Sequence, residues 1–210
     1  MIEVEVRGKI DHFEKTLEEF RKKAKFIEEK DRFTLLFARP GLELKEAIKK
    51  ETLQNEKVDL KVRITNKKPE IVVKYGNVKG SESRKEVLIP INKEDFSKAV
   101  ELFKFLEWNK GKIQATKTFV FVYNDIEFAL VKSGVIDYFE AEKVIHDTKK
   151  EDADDIIREI QNTCKEFDLN PVNEDDFFDL LDEFNKHEDR LFDLTKQDLD
   201  DIKEKWKEYF

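Results

Sequence analysis

Residues 2–10 read IEVEVRGKI, and the reading of this stretch decides the fold class. Ile2, Val4, Val6 and Ile10 are apolar at the even positions, with Gly8 interrupting the set. Glu3, Glu5, Arg7 and Lys9 fill the odd positions. A period of two is that of a β-strand, whose successive side chains point to opposite faces. One face of this strand is therefore apolar and the other wholly ionic. If the ionic face is surface, it carries no functional message. If it is enclosed, it begins a binding site for something highly charged.

The alternation recurs. In VDLKVRIT, Val58, Leu60, Val62 and Ile64 share one face, and Asp59, Lys61, Arg63 and Thr65 share the other. KFIEEKD, RFTLLFAR, EIVVKYG, SRKEVLIPI, KIQATKTFVFVY, IEFALVK and YFEAEKVI continue the strand series. A short helix is expected from Asp11, whose spacing to Glu14 matches a capping box. Another is expected over Lys93–Leu106 behind Asn92 as N-cap. Residues 40–56 begin with Pro40-Gly41 and read as a weakly helical insertion.

Beyond residue 147 the pattern changes to helical. Thr148 with Glu151 forms a second capping-box pattern, and Ile156, Ile157, Ile160, Cys164 and Phe167 fall on one helical face. A further helix carries Phe177, Phe178, Leu180, Leu181 and Phe184, and a last one is expected from Thr195 to Trp206–Phe210. Charge changes at the same place. The chain has 48 Asp/Glu and 40 Lys/Arg, of which residues 148–210 hold 21 and 10. The expected organisation is a β-rich domain over 1–147 and an acidic helical extension over 148–210 packing on it.

Bulk composition bounds the function. The 210 residues are 42% charged and 39% hydrophobic, enough for a domain with a real core and an appendage. No apolar run approaches the roughly 18 residues of a membrane helix, and the first strand is too charged for a signal peptide. A single cysteine, Cys164, permits no internal disulfide and reads as a small core residue. These features point to the cytoplasm and away from a membrane. The net charge of −8 and the lack of a basic stripe argue against a polynucleotide partner. There is no P-loop and no Gly-x-Gly-x-x-Gly, and His12, His146 and His187 stand apart without ligand or triad spacing.

About eight strands of this kind would close into a barrel or a strongly curved sheet, giving each an inside and an outside. One face of many of them carries opposed charges. The acids are Glu3, Glu5, Glu86, Glu140 and Glu142; the bases are Arg7, Lys9, Lys61, Arg63, Lys74, Arg84 and Lys117. Glu-x-Glu occurs at both ends of the β-rich region. Carboxylates two apart on a strand point the same way and suit a hard cation such as Mg²⁺. The bases suit phosphate oxygens, which arginine grips through paired hydrogen bonds. A triphosphate carrying one divalent cation would bring such a set near neutrality, as a partly desolvated site requires.

EVEVR resembles the Glu-x-Glu-x-Lys signature of the CYTH, or triphosphate tunnel metalloenzyme, superfamily, with Arg7 where lysine is usual. The resemblance runs from about Ile2 to Ile145. LKVRI is similar to its paired basic strand, IVVKYG to the strand that follows, SRKEV to its Arg-x-Glu motif and YFEAEKV to its closing Glu-x-Glu. It implies an α+β fold, an eight-stranded antiparallel β-barrel forming a triphosphate tunnel, with flanking helices and a C-terminal helical extension. It further implies Mg²⁺ or Mn²⁺ held by Glu3, Glu5, Glu86, Glu140 and Glu142. Phosphates would be held by Arg7, Lys9, Lys61, Arg63, Lys74, Arg84 and Lys117, with Glu5, Arg7 and Glu142 in catalytic roles.

The sequence departs from the family pattern in three further places. Leu88 stands where a second motif carboxylate is usual, and Phe119 where an arginine is usual. Glu127 is the acid before the closing pair, out of register with the family's. The implied activity is metal-dependent hydrolysis of a small-molecule triphosphate compound, inorganic, thiamine or nucleoside. The alternatives are a class IV-type adenylate cyclase, making cyclic AMP and pyrophosphate, and a non-catalytic triphosphate or nucleotide sensor. Members of the superfamily are often homodimers, though no residue here specifies one.

Overall fold

A computed structural model describes residues 2–47, 58–76, 85–145 and 153–210. The strands are β1 (Ile2–Lys9), β2 (Lys25–Phe37), β3 (Val58–Thr65), β4 (Lys68–Tyr75), β5 (Lys85–Pro90), β6 (Lys110–Tyr123), β7 (Ile126–Lys132), β8 (Tyr138–Ile145) and β9 (Leu191–Asp193). The helices are α1 (Phe13–Lys23), α2 (Leu44–Ala47), α3 (Phe96–Phe105), α4 (Ala153–Lys165), α5 (Glu174–Asn185) and α6 (Leu199–Lys205). The strands form one antiparallel sheet in the order β1-β8-β7-β6-β2-β3-β4-β5, with β9 added alongside β6. This is the α+β architecture expected. The closed barrel is a different matter: β1 and β5 end the strand path, and no pairing joins them among the described residues.

Two tight turns fix the register of the ionic residues. Asn66 and Lys67 join β3 to β4 with φ of 48° and 65°; Asn124 and Asp125 join β6 to β7 with φ of 51° and 59°. Two successive positive φ angles make the two-residue turn whose twist matches that of the strands. Asn66 is locked further, because its side-chain oxygen accepts the Asp31 N–H at 2.8 Å.

The chain groups into two compact units, Met1–Lys30 with Lys79–Ser83 and Thr116–Phe184, and Asp31–Val78 with Arg84–Ala115 and Asn185–Phe210. This cut differs from the division expected at 147/148. Helices α4 and α5 belong to the first unit, and everything from Asn185 on belongs to the second.

The core of the first unit lies on the apolar face of β1, β8, β7 and β6, where Val4, Val6, Phe119, Phe121, Phe128, Leu130, Phe139 and Ala141 are buried. Helix α1 covers it with Phe13, Leu17 and Phe20, and α4 with Ile156, Ile160 and Cys164. Phe20 stacks on Phe167 at 3.9 Å and meets Phe121 and Phe128 at 5.4 and 5.0 Å. Burying one such ring contributes about 1.5–3 kcal/mol. The core of the second unit gathers Phe33, Leu35, Phe37, Leu60, Val62 and Ile64 under α3, joined by Phe192, Leu194 and Ile202. Its C-terminal residues close it aromatically: Phe210 lies 5.2 Å from Phe33 and 5.1 Å from Phe96.

Several local expectations are corrected. KFIEEKD and RFTLLFAR are one continuous strand, β2. Helix α1 starts after His12 and no side chain caps it, so Asp11 is not its cap; Asp11 pairs with Lys9 at 2.8 Å instead. Asn92 precedes a 3₁₀ turn over Lys93–Asp95, and its amide donates to the Asp95 carboxylate at 3.2 Å rather than capping a backbone group. Thr195 does not begin the last helix: its N–H and hydroxyl both donate to Asp193, and α6 begins at Leu199. β9 was not anticipated. The pair Thr148 and Glu151 lies outside the described residues, as does most of the 40–56 insertion beyond α2.

Candidate functional site

The ionic face of β1 belongs to the first unit. Antiparallel pairing sets Glu5 opposite Glu142 and Arg7 opposite Glu140 on β8, and Glu142 in turn opposite Glu127 on β7. Directly opposed residues share a face, so Glu5, Glu142 and Glu127 form a row of carboxylates across three adjacent strands. Like charges so placed repel and call for a cation. Arg7 supplies one: its Nε and Nη2 donate to Glu5 Oε1 and Oε2 at 2.7 and 2.6 Å, and its Nε lies 3.5 Å from Glu140 Oε1. Burial opposes the charge on Arg7, yet Glu5 and Glu140 outweigh it and hold the guanidinium above its ordinary pKa.

The path of the chain explains how Arg7 comes to be covered. β1 ends the strand path, so its outer edge is free to accept a hydrogen bond, and Val172 N–H donates to the Arg7 carbonyl at 2.8 Å. The neighbouring Asn170 carbonyl presses on Gly8, where a Cβ would meet it at 2.4 Å and the Phe139 ring at 2.6 Å. That close approach is why glycine breaks the apolar set at position 8. Past Val172 the chain enters α5, and Phe177 lies under the Arg7 guanidinium at 4.9 Å, a cation–π contact.

The second unit carries its own face of ion pairs. Lys61 pairs with Asp59 at 2.9 Å, Arg63 Nε donates to Glu70 Oε1 at 2.5 Å, and Lys74 pairs with Glu86 at 3.0 Å. The register opposes Asp59 to Lys74, Arg63 to Glu70 and Lys74 to Glu86, so all six lie on one face of β3, β4 and β5. Burial alone would raise the Glu86 pKa, but Lys74, with Arg63 and Lys61 behind it, brings it below the usual carboxylate value.

This face is not plain surface in either unit. Thr34 and Val72 share it in the second unit at 2% and 0% exposure; Thr118 and Val120 share it in the first at 5% and 2%. Val72 and Val120 belong to neither hydrophobic core.

Not every expected residue is gathered. Lys117 alternates with Thr118 and so points to the face of Phe119 and α1; it pairs with Glu29 at 2.7 Å. Phe119 lies in the core, 6.0 Å from Phe13. Lys9 is exposed and held by Asp11. Leu88 lies opposite Val72 and is exposed. Glu3 sits opposite Val144, but its side chain, like Arg84, lies outside the described residues. Glu127, displaced from the family's position, nevertheless faces Glu142. Sequence reading passed over Asp59 and Glu70 as partners of the bases, and over Lys112, a buried lysine on β6. The alternation that exposed Lys61 and Arg63 would have shown the two acids.

Among the described residues no three His, Cys, Asp or Glu side chains are grouped so as to hold a metal ion. Both oxygens of Glu5 are taken by Arg7. Glu5, Glu142 and Glu127 carry oxygen donors of the type that Mg²⁺ and Mn²⁺ take, but they are not grouped to hold such an ion. Cys164 is buried in the core, and burial pushes its thiol up to about 12, as a structural residue requires. No helix among the described residues is long and apolar enough to cross a membrane.

No protein-family model and no curated protein matches the chain. Solved structures do. The PH1819 protein from Pyrococcus horikoshii OT3 superposes with a TM-score of 0.64 at 16% identity, covering 86% of this chain and 98% of that one. A "putative adenylate cyclase" from Vibrio parahaemolyticus gives 0.58 at 13%, covering 83% and 94%. The "putative adenylyl cyclase HpAC1 from Hippeastrum", described as revealing a dominant triphosphatase activity, gives 0.54 at 12%, covering 85% and 95%. The chain shares the fold of these proteins.

Proposed function

We propose that the chain is a metal-dependent hydrolase of a small-molecule triphosphate compound. The observation that carries this reading is the recurrence of opposed charges along one face of the strands, where uncharged neighbours are buried. Enclosure of that face, as in a triphosphate tunnel, would give buried charges a ligand to answer. The described activity of HpAC1 supports the same reading.

In this reading Lys61, Arg63 and Lys74 bind phosphate oxygens. In the free protein Asp59, Glu70 and Glu86 occupy them; an incoming triphosphate replaces these acids and needs no new charge to be buried. Arg7 leaves Glu5 for a phosphate oxygen, which frees the Glu5 carboxylate. Glu5, Glu140 and Glu142, with Glu127, are the residues that would hold Mg²⁺ or Mn²⁺, and the ion would supply neutralisation of phosphate charge there. Glu5 or Glu142, placed opposite each other, would take a proton from the attacking water.

A second reading, binding without turnover, draws on β6. Its face toward the charged residues offers Thr116 and Thr118, while Lys117 and Phe119 point away. Incubation with ATP and, separately, inorganic triphosphate in Mg²⁺ or Mn²⁺, with products resolved by chromatography, tests both. Phosphate release that is lost in Glu5→Gln is expected. Cyclic AMP with pyrophosphate would make the protein a cyclase and overturn hydrolysis. Binding with both substrates intact would establish the sensor.

A further inference from the structure

Strand β5 ends the strand path with its apolar residues in the open. Val87, Leu88 and Ile89 are 55%, 44% and 49% exposed, although β4 pairs with the strand along its whole length. Ile91 N–H donates to the Pro69 carbonyl at 3.1 Å, which fixes the parity of the strand. Alternate residues of an antiparallel strand turn both main-chain groups to the same side. Lys85, Val87 and Ile89 therefore bond to β4, and Glu86, Leu88 and Pro90 turn theirs outward. Among the described residues no strand pairs with that outer edge. An open edge with apolar side chains is a template for a further strand.

The exposed patch is wider than the strand. Ile71 and Val73 on β4 pack against the core of the second unit, with Ile89 and Val87 opposite them, so the apolar face of the sheet runs on past its cover. Helix α3 packs over β3 and β4. Its Ser97 flank meets α6, where Lys203 Nζ donates to Ser97 Oγ at 3.4 Å. Phe210, which touches both Phe96 and Phe33, places that flank on the side of β2. At about 100° per residue, Leu102 and Leu106 fall on the opposite flank, toward β5, and both are exposed. Contiguous apolar surface of this kind marks an interaction site.

We propose that β5 pairs with β5 of a second copy of this chain, antiparallel, about a two-fold axis through Leu88. The occupant follows from register. Only rotation about Leu88 lays Val87, Leu88 and Ile89 against the same three residues of another copy. Val87 then opposes Ile89 of the second copy on one face, and Leu88 opposes its own copy on the other, so apolar meets apolar on both. The main chain agrees. The two Leu88 residues exchange N–H···O=C bonds, and each Glu86 N–H reaches the Pro90 carbonyl of the second copy. The N–H that Pro90 lacks falls at the ends of the pairing, where water reaches. Leu88 also stands where the family pattern carries an acid. On the axis an acid would face its own copy, and like charges directly opposed are destabilising. This pairing does not depend on the triphosphate reading.

Sedimentation over a concentration series tests it. The parent protein is expected to dimerise, and Leu88→Glu to raise the dimer dissociation constant by about a hundredfold or more. The dilute Leu88→Glu monomer should melt where the dilute parent does, since Leu88 is exposed. Ile27→Ser, at an exposed apolar position of the first unit, is expected to leave the dimer intact. Leu88→Cys reports the register. Cα atoms of a hydrogen-bonded antiparallel pair lie about 5.5 Å apart, within disulfide reach, so mild oxidation should join two chains covalently. Cys164 is buried and does not compete. Should Leu88→Glu fail to fold, Val87→Lys gives the same reading. A protein that is monomeric at every concentration would overturn the proposal and leave the edge to a strand of another protein. A dimer that survives these charged variants, or that Leu88→Cys does not join, would overturn β5 as its interface.

Discussion

Replacing Glu70 by glutamine separates stability from binding. Glu70 accepts the Arg63 guanidinium N–H at 2.5 Å, and the two side chains are 15% and 14% exposed, so solvent screens them little. A hydrogen bond between charged groups in such surroundings contributes about 1.5–3 kcal/mol, and its loss leaves Arg63 half-buried without its acid. For a chain of this size that lowers Tm by about 3–10 °C. If Arg63 is a phosphate ligand, Glu70 is also its competitor. Removing the competitor should tighten inorganic triphosphate about three- to tenfold, or roughly 0.7–1.4 kcal/mol. Differential scanning calorimetry reads the first effect and isothermal titration the second. Opposite signs are the expected signature. Loss of stability together with weaker or unchanged binding would refute the reasoning, because Glu70 would then be positioning Arg63 or serving the sheet alone.

Other consequences follow from particular contacts. Gly8→Ala drives a Cβ against the Asn170 carbonyl and Phe139 and should cost about 1–3 kcal/mol, read as a lower Tm; an unchanged Tm would mean that β1 and the 170–172 segment are not held together as described. Glu86 has its folded pKa lowered by Lys74, Arg63 and Lys61 against burial, so its stabilisation is present above the unfolded carboxylate value of about 4.3 and is lost as pH falls through the lower folded value. Glu86→Gln should therefore flatten the loss of stability on acidification below that point, and an identical acid limb would remove Glu86 from the ion-pair face. Cys164, with its thiol pushed up to about 12, should resist iodoacetamide at neutral pH until the protein unfolds; rapid labelling of the native protein would contradict its place on the buried face of α4.

The residues of β1 show what alternation can and cannot reveal. Period two marked Val4 and Val6 as core and Glu5 and Arg7 as their opposite, and the structure buries the first pair and pairs the second. The same local rule found β3 with Lys61 and Arg63, and the helical stripe found Ile156, Ile160 and Cys164. Caps were less legible. Asp11, Asn92 and Thr195 have the right side chains for the task, but each is claimed by another partner, Lys9, Asp95 or Asp193. Capping is a competition among nearby acceptors and donors, and the winner depends on geometry that spacing does not carry.

Lys117 and Lys112 mark the boundary most clearly. Both are lysines on one strand, and motif resemblance chose Lys117. Side-chain parity, anchored by Phe119 and Ile113 in their cores, turns Lys117 away and Lys112 toward the charged face. Sequence by itself determined the strands, the apolar face of each, the ionic character of the other and the residue types that suit phosphate and a hard cation. These are local properties, written in a period of two. Tertiary structure alone decided which acid meets which base, that Glu127 joins Glu5 and Glu142, and that Phe177 comes to lie on Arg7. Those contacts join residues far apart in the chain, and register, which one residue of slip would invert, is set by turns and packing rather than by composition.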